Sequence, residues 1–118
     1  MTWQFSSGAI YPQIVQTIVR AILSGEIKPG ERLPGVRELA MEASVNPNTM
    51  QRAMAELELR GLVQTLRTAG RLVTADEEII ENERKNAAKA ETESYIKAMM
   101  SLGYTKQQTL ELLGNEVE

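Results

Sequence analysis

One hundred and eighteen residues, 42% hydrophobic and 25% charged, suit one small globular domain or one domain with an appendage. The chain has no cysteine and no histidine, which excludes disulfides, thiolate zinc sites, thiol nucleophiles and imidazole bases together, and with them most ways of building an enzyme. Its net charge of −3 is divided unevenly: residues 1–75 carry eight Lys/Arg and six Glu (+2), whereas residues 76–118 carry five Lys/Arg and ten Asp/Glu (−5).

The start, Met1-Thr2-Trp3-Gln4-Phe5, has neither a basic n-region nor an apolar h-region, so no signal peptide is expected. No apolar run approaches the roughly 18 residues of a membrane span, and a cytoplasmic setting fits. Trp3 and Phe5 are two of five aromatics, and this arm is expected to pack against its own or a partner's tail helices. Residues 11–24 repeat apolar positions at helical spacing (Ile14, Ile18 and Ile22, with Val15, Val19 and Leu23), and Gly25 ends the helix. Lys28-Pro29-Gly30 reads as a turn. A short second helix after Pro34 sets Val36, Leu39, Ala40 and Ala43 on one side, with Gly35 where a capping Ser or Thr would stand. Asn46-Pro47 is a helix start, because Asn caps free amides and Pro at the first position loses no bond. This third helix runs to about Arg60 and presents Met50, Ala53, Met54 and Leu57 as core, the methionines filling gaps.

Gly61 closes the third helix, and Leu62 to Thr74 reads as a two-stranded hairpin with its tip near Arg67 to Gly70. Within it, Arg71 is open to the reading of an edge-strand charge that deters pairing. Three helices and a hairpin form a winged helix-turn-helix. Residues 76–101 then read as one long helix with Ala88, Tyr95, Met99 and Leu102 tracing an apolar stripe. Asp76, Glu77, Glu78 and Glu81 suit its N-terminus through the macrodipole rather than a metal. Gly103 breaks it, and Thr105-Lys106-Gln107-Gln108 is a capping box opening a last helix with Leu110, Leu112, Leu113 and Val117. The fold class expected is mainly α with a small β-hairpin wing, a domain over 1–75 and a helical tail over 76–118.

Three blocks in order carry a resemblance. They are Ile10-Tyr11-Pro12-Gln13-Ile14 with Gly25-Glu26-Ile27-Lys28-Pro29-Gly30-Glu31-Arg32-Leu33-Pro34-Gly35-Val36-Arg37-Glu38-Leu39-Ala40, then Val45-Asn46-Pro47-Asn48-Thr49, then Gly70-Arg71-Leu72-Val73 with Ala53, Leu57 and Gly61 between. Over roughly residues 3–75 the chain resembles the DNA-binding domain of the GntR family of bacterial transcription regulators. The 43 residues that follow resemble the short dimerisation tail of its YtrA-like subfamily. Gly35 replaces the family's usual Ser, Thr68-Ala69 stands where the wing usually has a Gly, and Pro47 stands where Arg is frequent.

In a helix-turn-helix the start of the second helix enters the major groove, so Asn48, Thr49, Gln51 and Arg52 are the expected base readers. Asn and Gln suit adenine, Arg suits guanine, and the helix start offers free amides to a phosphate. The resemblance adds Arg37 as a base or phosphate reader and Arg67, Thr68 and Gly70 at the wing. The tail stripe needs a partner helix, and a second copy is the simplest one. Dimerisation is therefore expected through Ala88, Tyr95, Met99, Leu102, Leu110 and Leu113. The whole reads as a homodimeric transcription regulator, a repressor on a pseudo-palindromic double-stranded DNA operator, without catalytic residues, metal or cofactor. An unknown small-molecule effector between subunits is compatible with it, and no membrane association is expected. The alternative is a winged-helix protein–protein interaction module without specific DNA binding.

Overall fold

The computed structural model describes residues 1–117. Its elements in chain order are helices α1 (Ile10–Leu23), α2 (Val36–Ala43) and α3 (Pro47–Leu59), strands β1 (Val63–Leu66) and β2 (Gly70–Val73), and helices α4 (Glu77–Ser101) and α5 (Lys106–Val117). They form two compact units, Met1–Asn82 and a second beginning at Glu83.

In the first unit the expected apolar faces meet in one core. Ile14 and Ile18 of α1, Leu39 of α2, and Met50, Met54 and Leu57 of α3 are fully buried, closed by Leu62 and by Val73 of β2. Each helix ends where local chemistry dictates. Gly25 follows α1 at φ +84°, a left-handed conformation that costs glycine nothing. The Asn46 side chain accepts the Asn48 amide at 2.8 Å, and Pro47 is the first residue of α3. Gly35 caps α2 without a side-chain bond. The first unit extends past the expected boundary at residue 75 into α4, because Ile80 is buried in the core and Ile79 packs against it.

In the N-terminal arm, Trp3 and Phe5, with ring centroids 6.4 Å apart, pack against the core of the first unit, which includes Ile80 of α4. Gln13 ties the arm down, accepting from the Ser6 amide at 2.8 Å and donating to the carbonyls of Ser6 and Ala9. The terminal ammonium lies 3.0 Å from Glu26.

The wing holds more than a hairpin. β1 and β2 pair antiparallel in a register running from Val63↔Val73 to Leu66↔Gly70. The segment before α2 lies along the other side of β2: Arg32 bridges Leu72, Leu33 donates to the Arg71 carbonyl, and Val73 donates to that of Glu31, both at 2.9 Å. Since β2 is flanked on both sides, the edge-strand reading of Arg71 is corrected.

Asp76 caps α4 by accepting the Glu78 amide at 3.0 Å. In the second unit, Gly103 turns the chain at φ +95°. The capping box is reciprocal there, the Thr105 amide donating to Gln108 Oε1 (2.9 Å) and the Gln108 amide to Thr105 Oγ1 (3.1 Å). Thr109 is the buried residue of α5, its hydroxyl donating to the Thr105 carbonyl. Ala88 and Tyr95 are exposed, Met99 is half-buried, and Leu102 lies one residue beyond α4 and is exposed. Leu110 and Leu113 are exposed as well.

Candidate nucleic-acid interface

Helices α2 and α3 are joined by Ser44-Val45-Asn46. Ser44 takes the left-handed conformation (φ 56°), and the Val45 amide donates to the Ala40 carbonyl at 3.0 Å, which closes the end of α2. The Asn46 cap then starts α3 at once, in the tight turn of a helix-turn-helix.

Helix α3 is divided lengthwise. Met50, Ala53, Met54 and Leu57 face the core, while Asn48, Gln51 and Arg52 are exposed and Thr49 is half-buried. The expected readers thus share the outward side of the helix start. Fewer backbone amides are free for a phosphate than the bare helix start suggested: Pro47 has none, and the Asn48 amide is taken by Asn46. Arg37 is exposed on α2, and Arg67 and Thr68 are exposed at the wing tip. Gly70 follows them at φ +76°, the left-handed conformation that lets the chain re-enter β2.

Three contacts were not visible in the sequence. The Arg52 guanidinium lies 3.9 Å over the centre of the Tyr11 ring, a cation–π contact that joins α3 to the first turn of α1. The Arg32 guanidinium lies beside Gly70, its Nε 3.4 Å from where a Cβ would stand. Strand pairing at residue 32 places this exposed cation at the wing, and the Arg32-Leu33-Pro34 run alone does not reveal that pairing. Third, Arg71 Nε donates to Glu58 Oε1 at 2.8 Å, and the Thr65 hydroxyl donates to the same oxygen at 2.6 Å. These bonds, the Arg71 one foremost, hold the Glu58 carboxyl below the ordinary carboxylate range. Arg71 Nη2 also reaches Gln51 Oε1, at 3.5 Å.

Chemically the surface offers amide and guanidinium donors on a helix start and a cationic loop beside it. Among the described residues no group of three or more carboxylates could hold a metal ion. No helix among them is long and apolar enough to cross a membrane. A helix-turn-helix whose second helix exposes Asn, Gln and Arg, flanked by a basic wing, defines a winged helix-turn-helix DNA-binding protein.

Comparison with known proteins narrows the class. Residues 10–73 match the model of bacterial regulatory proteins of the gntR family. The HTH-type transcriptional regulator YhcF of Bacillus subtilis (strain 168) is 39% identical over 106 residues, 90% of this chain and 88% of YhcF. The HTH-type transcriptional repressor YtrA of the same organism is 46% identical over 69 residues, 58% of this chain and 53% of YtrA. A solved GntR family transcriptional regulator from Listeria monocytogenes superposes with a TM-score of 0.86 at 38% identity, over 95% of this chain and 98% of that one. The DNA-binding domain of AraR, solved in complex with operator ORR3, superposes at 0.52 with 25% identity over 63% of this chain and 95% of its own. The chain belongs to the GntR family and is a DNA-binding transcriptional regulator.

Proposed function

We propose that the protein is a repressor that binds a pseudo-palindromic operator as a homodimer and occludes a promoter. Residues 1–75 read DNA, and residues 76–118 join two copies. The observation that carries this reading is the outward row of Asn48, Gln51 and Arg52 on a capped helix start. Helix α3 enters the major groove. There Asn48, Gln51 and Arg52 meet base edges, Thr49 meets a phosphate or a thymine methyl, and Arg37 meets a base or a phosphate. Arg67, Thr68 and Gly70 carry the wing to the minor groove.

Dimerisation is supported by exposed apolar groups in the second unit: Tyr95, Leu102, Leu110 and Leu113, at 42%, 72%, 62% and 45% exposure. Met99 and Ala88 complete the face. So much apolar surface on a short segment is characteristic of an interface. Two-fold symmetry then requires inverted half-sites, their centres spaced by about one helical turn of DNA or its multiples. Repression is supported by the similarity to YtrA, a transcriptional repressor. The protein works in the cytoplasm, where the chromosome is, and catalyses no reaction. A small-molecule effector, where one acts, sits between subunits.

The test is selection of bound duplexes from a random library by the full chain, followed by sequencing. An enriched inverted repeat is expected. One half-site alone would leave DNA reading standing and overturn the dimer. No enrichment by folded protein at moderate salt would leave a protein-interaction module in its place.

A further inference from the structure

Gln51 and Glu58 are seven residues apart, which puts them on one face of α3 two turns apart. Arg71 of β2 meets both. Glu58 takes Arg71 Nε at 2.8 Å, a charge-assisted bond that fixes the guanidinium, and Thr65 anchors the same carboxylate oxygen from β1 at 2.6 Å. Nη2 of that guanidinium then lies 3.5 Å from Gln51 Oε1. A guanidinium has donors only, so the edge of the Gln51 amide facing it is the carbonyl. The edge left for a ligand is the amino group, which only donates.

We infer that Arg71, held by Glu58, is a positioning residue that sets the donor polarity of Gln51, so that this glutamine selects guanine over adenine in the operator. The inference rests on Gln51 reading a base, as proposed above. An unrestrained glutamine pairs with adenine by accepting from N6 while donating to N7. With Oε1 turned toward Arg71, the amide presents its amino group to the base, and that group would confront another amino group at N6. Guanine presents N7 and O6, both acceptors, to the same amino group. Specificity at this position is therefore written by a wing residue that need not touch DNA.

The experiment repeats the duplex selection with the full chain and three variants. Gln51→Ala identifies the base pair that Gln51 reads, as the position whose preference flattens. At that position the wild type is expected to prefer guanine over adenine by about tenfold, the size of one good base contact. Arg71→Met keeps the aliphatic stem but frees Oε1, and the ratio should fall to parity or invert. Gln51→Glu changes an exposed residue and turns the outward donor into an acceptor. It should reject guanine and favour cytosine or adenine, whose amino groups donate, and it decides the matter should Arg71→Met not fold. A wild-type preference for adenine at the Gln51 position overturns the inference while leaving Gln51 a reader. So does an unchanged ratio in folded Arg71→Met. If Gln51→Ala flattens no position, the base-reading role of Gln51 falls and takes the inference with it.

Discussion

Helices α1 and α4 persist for different reasons. Six of the 14 residues of α1 are buried, against one of 25 in α4. That one is Ile80, which belongs to the core of the first unit. α1 opens at Ala9 with no side-chain cap, so tertiary packing holds it. α4 is rich in Ala, Glu and Lys, places Glu77 and Glu78 in its first turn and is capped by Asp76. Opposite charges four residues apart (Glu81 and Lys85, Glu93 and Lys97) suit the same local stabilisation. The winged unit is therefore self-sufficient, whereas the tail keeps its helices and leaves its apolar groups outward.

The sharpest way to break this contrast is a cavity in the winged unit. Leu57→Ala, at a fully buried position between α3 and its neighbours, should lower the unfolding free energy by about 2–5 kcal/mol in urea titration. A loss below about 1 kcal/mol would mean the core is not what holds α1–α3. The next largest effect belongs to the recognition helix itself. Asn46→Ala removes the cap on the Asn48 amide and should cost about 1 kcal/mol by the same titration.

Leu110→Gln with Leu113→Gln should leave unfolding of the winged unit within about 0.5 kcal/mol of wild type. Sedimentation equilibrium should meanwhile shift from two chains to one. A dimer that survives both changes would place the interface elsewhere. The smallest effect is electrostatic. The folded-state pKa of Glu58 is depressed, so its bonds to Arg71 and Thr65 contribute fully at neutral pH. They are lost as pH falls below about 4.5 through the lower folded value. The Glu58 side chain is about a third exposed, at 35%, and solvent screening keeps the contribution small. The difference in melting temperature between wild type and Glu58→Gln should narrow as the pH drops through this range. A difference independent of pH would show that the pair contributes nothing as ions.

Where an apolar face or a cap is set by a residue's own helix, the sequence was legible. Ile14 and Ile18, Met50 and Met54, the Asn46 cap and the Thr105/Gln108 box follow from spacing and cap chemistry, and each stands as expected. The outward side of α3 follows as well, since it is what remains when the apolar face is turned inward. Contacts between distant segments were not legible. Tyr11 under Arg52, Arg32 beside Gly70, and Glu58 between Thr65 and Arg71 each join residues with no shared periodicity. What covers Trp3 and Phe5 was not legible for the same reason: an aromatic arm must be covered, but nothing local says by what. Thr109 shows a further gap, because a hydroxyl that satisfies itself on its own helix can be buried where an apolar residue is expected.

The bridge at Arg32 has a consequence for how the protein is made. Its partner, β2, lies roughly forty residues later in the chain, beyond the whole helix-turn-helix, and closing so long a loop is entropically costly until something else has drawn the ends together. As the chain leaves the ribosome, α1, α2 and α3 emerge with their partners close at hand. Leu33 and Val73, by contrast, wait for each other's neighbourhoods to arrive. The wing is thereby completed after the helix-turn-helix, and a nascent chain halted before Val73 carries a recognition helix but no finished wing beside it.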